Sequence, residues 1–97
     1  MDGYLYILRC NNGTFYVGST TDMEKRLCEH RSGMGAEYTR RHLPVELVYV
    51  QRFRSIELAF REERRLHGWS HAKKQALIDG DFQLLQELAV SYAKKRR

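Results

Sequence analysis

Five side chains in this sequence are of types that can act on a phosphate ester. Tyr6 and Tyr16 stand ten residues apart, in the aromatic runs Tyr4-Leu5-Tyr6 and Phe15-Tyr16-Val17-Gly18. A phenol donates or accepts a hydrogen bond, stacks on a base, or takes up a proton when ionised. Arg26 and His30 follow, four residues apart, so on a helix both address one target. Glu63 offers the hard oxygen that Mg²⁺ or Mn²⁺ prefers. Hydrolysis of a phosphodiester calls for these groups: a base for water, a cation for the phosphate charge, and a carboxylate for a divalent ion.

The elements that must carry them can be read from pattern. Residues 4–9 and 14–18 are β-rich, and Arg9-Cys10-Asn11-Asn12-Gly13-Thr14 joins them as a hairpin. The Asn-Gly pair there supplies the positive-φ residues that a tight turn favours. Side chains alternate across a strand, so Tyr16 points away from Phe15 and Val17. Gly18 leaves room for backbone or ligand to come close. Thr21 and Glu24 have capping-box spacing, with Asp22 as the alternative cap, and predict a helix to about Arg31. Met23 and Leu27 mark its core face, which Arg26 and His30 border.

Residues 36–44 read as a polar, basic connector, and Val45 to Phe53 as a third strand. Ser55 caps a helix over about 56–67 with Ile56, Ala59, Phe60 and Leu66 on one stripe. The place where that stripe should continue holds Glu63. A carboxylate facing a core costs several kcal/mol unless something pairs with it, and such violations concentrate at functional sites. A short helix from about His71 to Ile78 stops at Asp79-Gly80. Asp81 caps a last helix with Phe82, Leu85, Leu88, Ala89 and Tyr92 on one face, followed by a frayed, solvated Lys94-Lys95-Arg96-Arg97 tail.

The chain has 97 residues, enough for one core and too few for two. Net charge is +5, from 17 basic and 12 acidic residues, which suggests an anionic partner, nucleic acid first. No apolar run approaches the ~20 residues of a membrane span and no leader precedes the first strand, so the default is a cytoplasmic protein without a membrane partner. Cys10 and Cys28 lack metal-site spacing and read as reduced packing residues.

Tyr4-Leu5-Tyr6 and Tyr16-Val17-Gly18 resemble the two halves of the GIY-YIG motif. Arg26 matches the invariant arginine of that family, and Glu63, within Ala59-Phe60-Arg61-Glu62-Glu63, its metal-binding glutamate. Gly33 to Arg40 and Pro44 to Tyr49 are similar to the small standalone bacterial branch, the YhbQ-type proteins. The resemblance runs from residue 4 to about 78. It implies an α/β (α+β) fold with a small three-stranded sheet flanked by helices. Residues 1–80 would form the GIY-YIG domain, and 81–97 a C-terminal helix and basic tail of the same domain. It also implies a nuclease dependent on Mg²⁺ or Mn²⁺ that cuts DNA by direct attack of water. Tyr16 would be the general base or would position the water, Tyr6 would assist, and Arg26 would bind the scissile phosphate with His30 beside it. Glu63 would be the sole protein ligand of the metal. Tyr4, Gly18, Ser19, Tyr38, Thr39 and Arg40 would contact substrate.

The sequence departs from the family at several points. Tyr4 stands in place of the name-giving glycine, and Ser19 where some members have lysine. Met34 and Glu37 replace lysines usual in the branch, and only Gln75 offers an amide after the glutamate helix. Other readings stay open. The tyrosines are also ordinary sheet residues, and Arg26 a solvated helix residue. His30 is also suited to a helix C-terminus, and Glu63 to a surface charge cluster. His67 and His71, four apart, straddle a helix break at Gly68 and read as a chance pair. A non-cleaving nucleic-acid binder of the same fold is the rival function, and a module docking on a larger repair assembly the third.

Overall fold

The computed structural model describes residues 1–95, with side chains through residue 89. The expected place of Tyr92 on the packed face of the last helix, and the Arg96-Arg97 end of the tail, lie outside what is described.

Three strands, β1 (Gly3–Arg9), β2 (Phe15–Thr20) and β3 (Glu46–Phe53), form one antiparallel sheet in the order β2-β1-β3. The α+β class with its three-stranded sheet is therefore as the sequence indicated. β1 is covered on both faces, which is why Leu5, Tyr6, Ile7 and Leu8 form an unbroken apolar run rather than an alternating one. On one face Leu5, Ile7 and Val17 pack with Leu66, flanked by Phe15, Trp69, Leu77 and Ile78. On the other, Tyr6, Leu8, Cys10 and Val45 pack with Tyr16, Met23 and Leu27. Helices α3 (Ile56–His67) and α4 (His71–Asp79) cover the first face, and α1 (Met23–Arg31) the second. A final helix, α5 (Phe82–Lys95), rests on α4.

Each described helix start has its cap, except that of the five-residue α2 (Glu37–Arg41). Asp22 Oδ1 accepts from Lys25 N–H, Ser55 Oγ from Leu58 N–H, Ser70 Oγ from Lys73 N–H and Asp81 Oδ1 from Leu84 N–H. Of the two cap candidates for α1, Asp22 is the one used. α4 ends at Gly80, whose φ of 69° only glycine adopts without strain.

Several expectations fail locally. The hairpin turn is closed by Gly13 N–H donating to Cys10 C=O at 2.9 Å, and Gly13 alone has positive φ (82°), not the Asn-Gly pair. The supposed connector contains a helix, α2 (Glu37–Arg41), whose five residues are too few to show a period. Phe60 is 48% exposed with the Arg64 guanidinium over its ring, so the α3 stripe is Ile56, Ala59, Glu63 and Leu66. Phe82 is also exposed, and so is Cys28, which packs nothing.

Candidate active site

Because residues alternate along β2, Tyr16 and Gly18 face α1 whereas Val17 and Ser19 face α3. Gly18 pairs with Tyr6 across the ladder, and a Cβ on Gly18 would collide with the Tyr6 phenol oxygen. Tyr6 therefore lies over β2. The close approach that Gly18 permits is to this side chain.

Around the Tyr6 hydroxyl the direction of every proton can be worked out. Thr39 Oγ1 donates its only hydrogen to the Ala36 carbonyl at 2.9 Å, so it must accept from His30 Nδ1, 2.8 Å away. His30 thus carries its proton on Nδ1. Its Nε2 is then an acceptor, and Tyr6 O–H donates to it at 2.8 Å. The lone pairs of Tyr6 accept from Arg26 Nε–H at 3.3 Å, while Arg26 Nη1 donates to Glu29 at 3.3 Å. The chain runs Arg26 to Tyr6 to His30 to Thr39 to Ala36, with no ambiguous member. Gly35 closes it from above, since a Cβ there would meet His30 Nδ1 at 2.5 Å.

The ionisation of these groups follows from burial. His30 has no exposed surface, and burial, seconded by the Arg26 charge, lowers its pKa to about 4, so the ring is neutral at pH 7. Burial raises the Tyr6 phenol above 10.0, against the opposing hydrogen bond and charge of Arg26. The Arg26 guanidinium, charged in any case, is pushed further up by its hydrogen bond to Tyr6, against the effect of burial. His30 was expected to touch phosphate or act as a cation at the end of α1. It does neither in this structure, being buried, neutral and enclosed. Thr39, expected at the substrate, is fully buried beneath it.

Tyr16 differs. Its ring meets His30 edge-on at 5.3 Å, but its hydroxyl has no hydrogen-bond partner among the described residues. It lines an open groove of about 270 Å³ along the outer edge of β2.

Glu63 reaches β2 from the other face. Its side chain is 16% exposed, and Oε1 accepts from Ser19 Oγ–H at 2.7 Å. Its Oε2 lies 3.5 Å from His67 Nε2, which also donates to the Val17 carbonyl at 3.3 Å. Although Glu63 and Arg26 approach from opposite faces, β2 is an edge strand, and both stand beside its last residues. Arg26 reaches the Tyr6 hydroxyl over Gly18, and Glu63 is bonded to the adjacent Ser19. A polar cavity of about 320 Å³ opens beside Arg26, lined also by Thr20, Thr21, Asp22, Lys25 and Glu29.

The remaining candidates are more scattered. Tyr4 is half-buried on β1, opposite Thr20. Tyr38 is 41% exposed, its hydroxyl 2.6 Å from Thr14 Oγ1 and its ring against His42. Arg40 is exposed and 3.7 Å from Glu37, which binds Arg41 at 2.8 Å. Gln75 donates to Asp79 on its own helix and takes no part. His67 and His71 do not act as a pair: His71 stacks on Phe15 at 4.4 Å, while His67 serves β2 and Glu63. The i,i+4 spacing of Glu63 and His67 was the available signal for that contact.

No group of three or more His, Cys, Asp or Glu side chains among the described residues could cage a metal. A single carboxylate beside a hydroxyl suits a hard ion that keeps water and phosphate oxygen as its other ligands. The residues present fit Mg²⁺ or Mn²⁺, which Glu63 would hold with its carboxylate oriented by Ser19.

A phenol pair, an arginine and a carboxylate lie together at the edge of a three-stranded sheet. The family model described as GIY-YIG catalytic domain matches residues 2–76, and the chain belongs to that family, a family of nucleases. Within it, the relatives are UPF0213 proteins. One from Natronomonas pharaonis is 46% identical over 77 residues, 79% of this chain and 91% of the relative. One from Bacillus pumilus is 39% identical over 92 residues, 95% and 93% of the two chains. The solution structure of a UPF0213 protein from Bacillus halodurans is 43% identical, covers 81% of this chain and 84% of its own, and superimposes with a TM-score of 0.54. A solution structure from E. faecalis gives 36%, 87%, 88% and 0.58. No helix among the described residues is long and apolar enough to cross a membrane.

Proposed function

We propose that this protein hydrolyses phosphodiester bonds in nucleic acid, DNA before RNA, by direct attack of water and with a divalent metal. The observation that carries this reading is the gathering of Tyr16, Arg26 and Glu63 along one edge strand. Arg26 bonds the Tyr6 hydroxyl that lies over Gly18, Glu63 is bonded to the next residue, Ser19, and Tyr16 stands two residues before Gly18.

Arg26 binds the scissile phosphate. Two of its nitrogens are fixed by Tyr6 and Glu29, so the guanidinium meets the phosphate without first losing its own freedom. Tyr16, whose hydroxyl is unengaged, orients the attacking water and relays its proton, accepting it while passing the phenolic proton to solvent. As this happens the new P–O bond forms, the bond to the leaving oxygen breaks and that oxygen takes a proton from solvent. Tyr6 cannot share that task, because its proton is committed to His30 and its oxygen to Arg26. It is a positioning residue. Glu63 holds Mg²⁺ or Mn²⁺, which when bound supplies Lewis-acid stabilisation of phosphate charge. Ser19 keeps the carboxylate in place.

The test incubates wild type and Glu63→Gln with labelled single-stranded, duplex and branched DNA and with RNA, in Mg²⁺, Mn²⁺ or EDTA. Metal-dependent cutting by wild type, at least ~10³-fold slower in the variant, is expected. Equal cutting by both would remove Glu63 from the site.

A second reading, a binder that does not cut, is favoured by Glu37. It stands where a lysine is usual in the branch and pairs with Arg40 and Arg41. That reading predicts salt-sensitive binding by both proteins and cutting by neither.

A further inference from the structure

The groove at the outer edge of β2 is used only in part by the chemistry above. Its lining is Phe15, Tyr16, Val17, Tyr38, His67 and Lys74, from four different elements or their flanks. Tyr38 stands on one wall, already anchored through its hydroxyl to Thr14 and its ring to His42. A ring fixed in this way stacks on a base with little further loss of freedom. Lys74 gives the groove its positive side chain, while His67 beside it is engaged by Glu63. Lys73 is occupied over the Trp69 ring at 4.4 Å. Lys74 forms no ion pair among the described residues and turns into the groove.

The size and the edge chemistry select the occupant. An open groove of about 270 Å³ has room for one splayed base rather than for a base pair. A peptide adding as a further strand would need the free carbonyls of β2, and His67 already covers that of Val17. An aromatic wall with a lysine in the same groove, next to Tyr16, is suited to a base and its phosphate.

We propose that this groove seats one unpaired nucleotide beside the phosphate to be cut, with its base on Tyr38 and its phosphate on Lys74. The site thereby favours single-stranded or frayed nucleic acid. The inference rests on the nuclease reading and adds the form of the substrate to it.

The test is an anisotropy titration of the full chain in EDTA, at several salt concentrations. The probes are a labelled single-stranded DNA, the same sequence as RNA, and the same DNA as a blunt duplex. Wild type should bind the single strands more tightly than the duplex, and any difference between DNA and RNA identifies the natural source. Lys74→Ala should weaken single-strand binding about tenfold and reduce the salt slope by roughly 0.7. Tyr38→Leu should weaken it about tenfold with the slope unchanged, and Tyr38→Phe, which keeps the ring and the His42 contact but loses the Thr14 anchor, should recover most of it. Arg52→Ala on β3, the far edge, should change nothing. Wild-type affinity in both groove variants would overturn the proposal, as would an equal loss for duplex and single strands. Wild-type binding that ignores salt would instead overturn the nucleic-acid reading beneath it.

Discussion

The two faces of the sheet treat their polar groups in opposite ways. Toward α1, Tyr6, His30 and Thr39 are wholly buried and spend every hydrogen-bonding atom on one another, on Arg26 or on backbone. Toward α3 the core is apolar, and its one carboxylate, Glu63, sits at the rim with water in reach. A buried polar chain is costly unless every member is satisfied, and no buried side-chain polar atom among those described lacks a partner. The α1 face therefore supplies rigidity, and the exposed ends at β2 supply reactivity. Tyr6 and Tyr16 are the same residue type on the same face, yet one is a structural hydrogen bond and the other a free hydroxyl.

The comparison can be broken from either side. The largest stability effect expected is with pH. His30 titrates at about 4 when folded and 6.5 when unfolded, so the unfolded chain takes up its proton first as pH falls. Its contribution is complete above pH 6.5 and is lost progressively between 6.5 and about 4, roughly 3 kcal/mol in all. Urea midpoints across that range should fall, and the fall should shrink in His30→Gln. A stability independent of pH there would mean that the ring is not held neutral.

Next is Thr39→Val, which keeps the shape but removes the acceptor that fixes the His30 proton. It should cost about 1–3 kcal/mol by denaturant titration, and Thr39→Ser should recover most of this. The ¹⁵N shifts of His30 should report a proton on Nδ1 in wild type and Thr39→Ser. A proton found on Nε2 would reverse the order of the whole chain. The smallest effect belongs to Ser19→Ala, on the other face. It should leave stability within about 1 kcal/mol and slow metal-dependent cutting about tenfold, because it orients a metal ligand without being one.

Much of the scaffold was legible because local rules acted alone. Ser55 followed by an apolar period gave α3 its bounds, and alternation put Tyr16 opposite Phe15 and Val17. Glu63 was visible as a break in a stripe, even though Phe60 was wrongly counted in that stripe: a residue one position off the buried line looks the same from sequence. What was hidden is non-local. Ser19 and Glu63 are 44 residues apart, and nothing in either neighbourhood announces the other. His30 looked like a border residue because α2, the element that buries it, is too short to carry a period. Thr39, within α2 itself, was expected to contact substrate and is instead buried. Gly18 was correctly read as a place of close approach, but the approaching group is Tyr6, 12 residues earlier.

The most direct measurement compares Tyr6→Phe with Tyr16→Phe in one experiment, reading single-turnover cutting of labelled DNA in Mg²⁺ alongside denaturant stability. Tyr6→Phe should lose about 1–3 kcal/mol, because it leaves the buried His30 Nε2 without a donor, and should cut more slowly through a loosened Arg26. Tyr16→Phe should keep wild-type stability and lose cutting by at least ~10²-fold. Cutting at the wild-type rate by Tyr16→Phe, or a Tyr6→Phe variant as stable as wild type, would contradict the division between a phenol that positions and a phenol that acts.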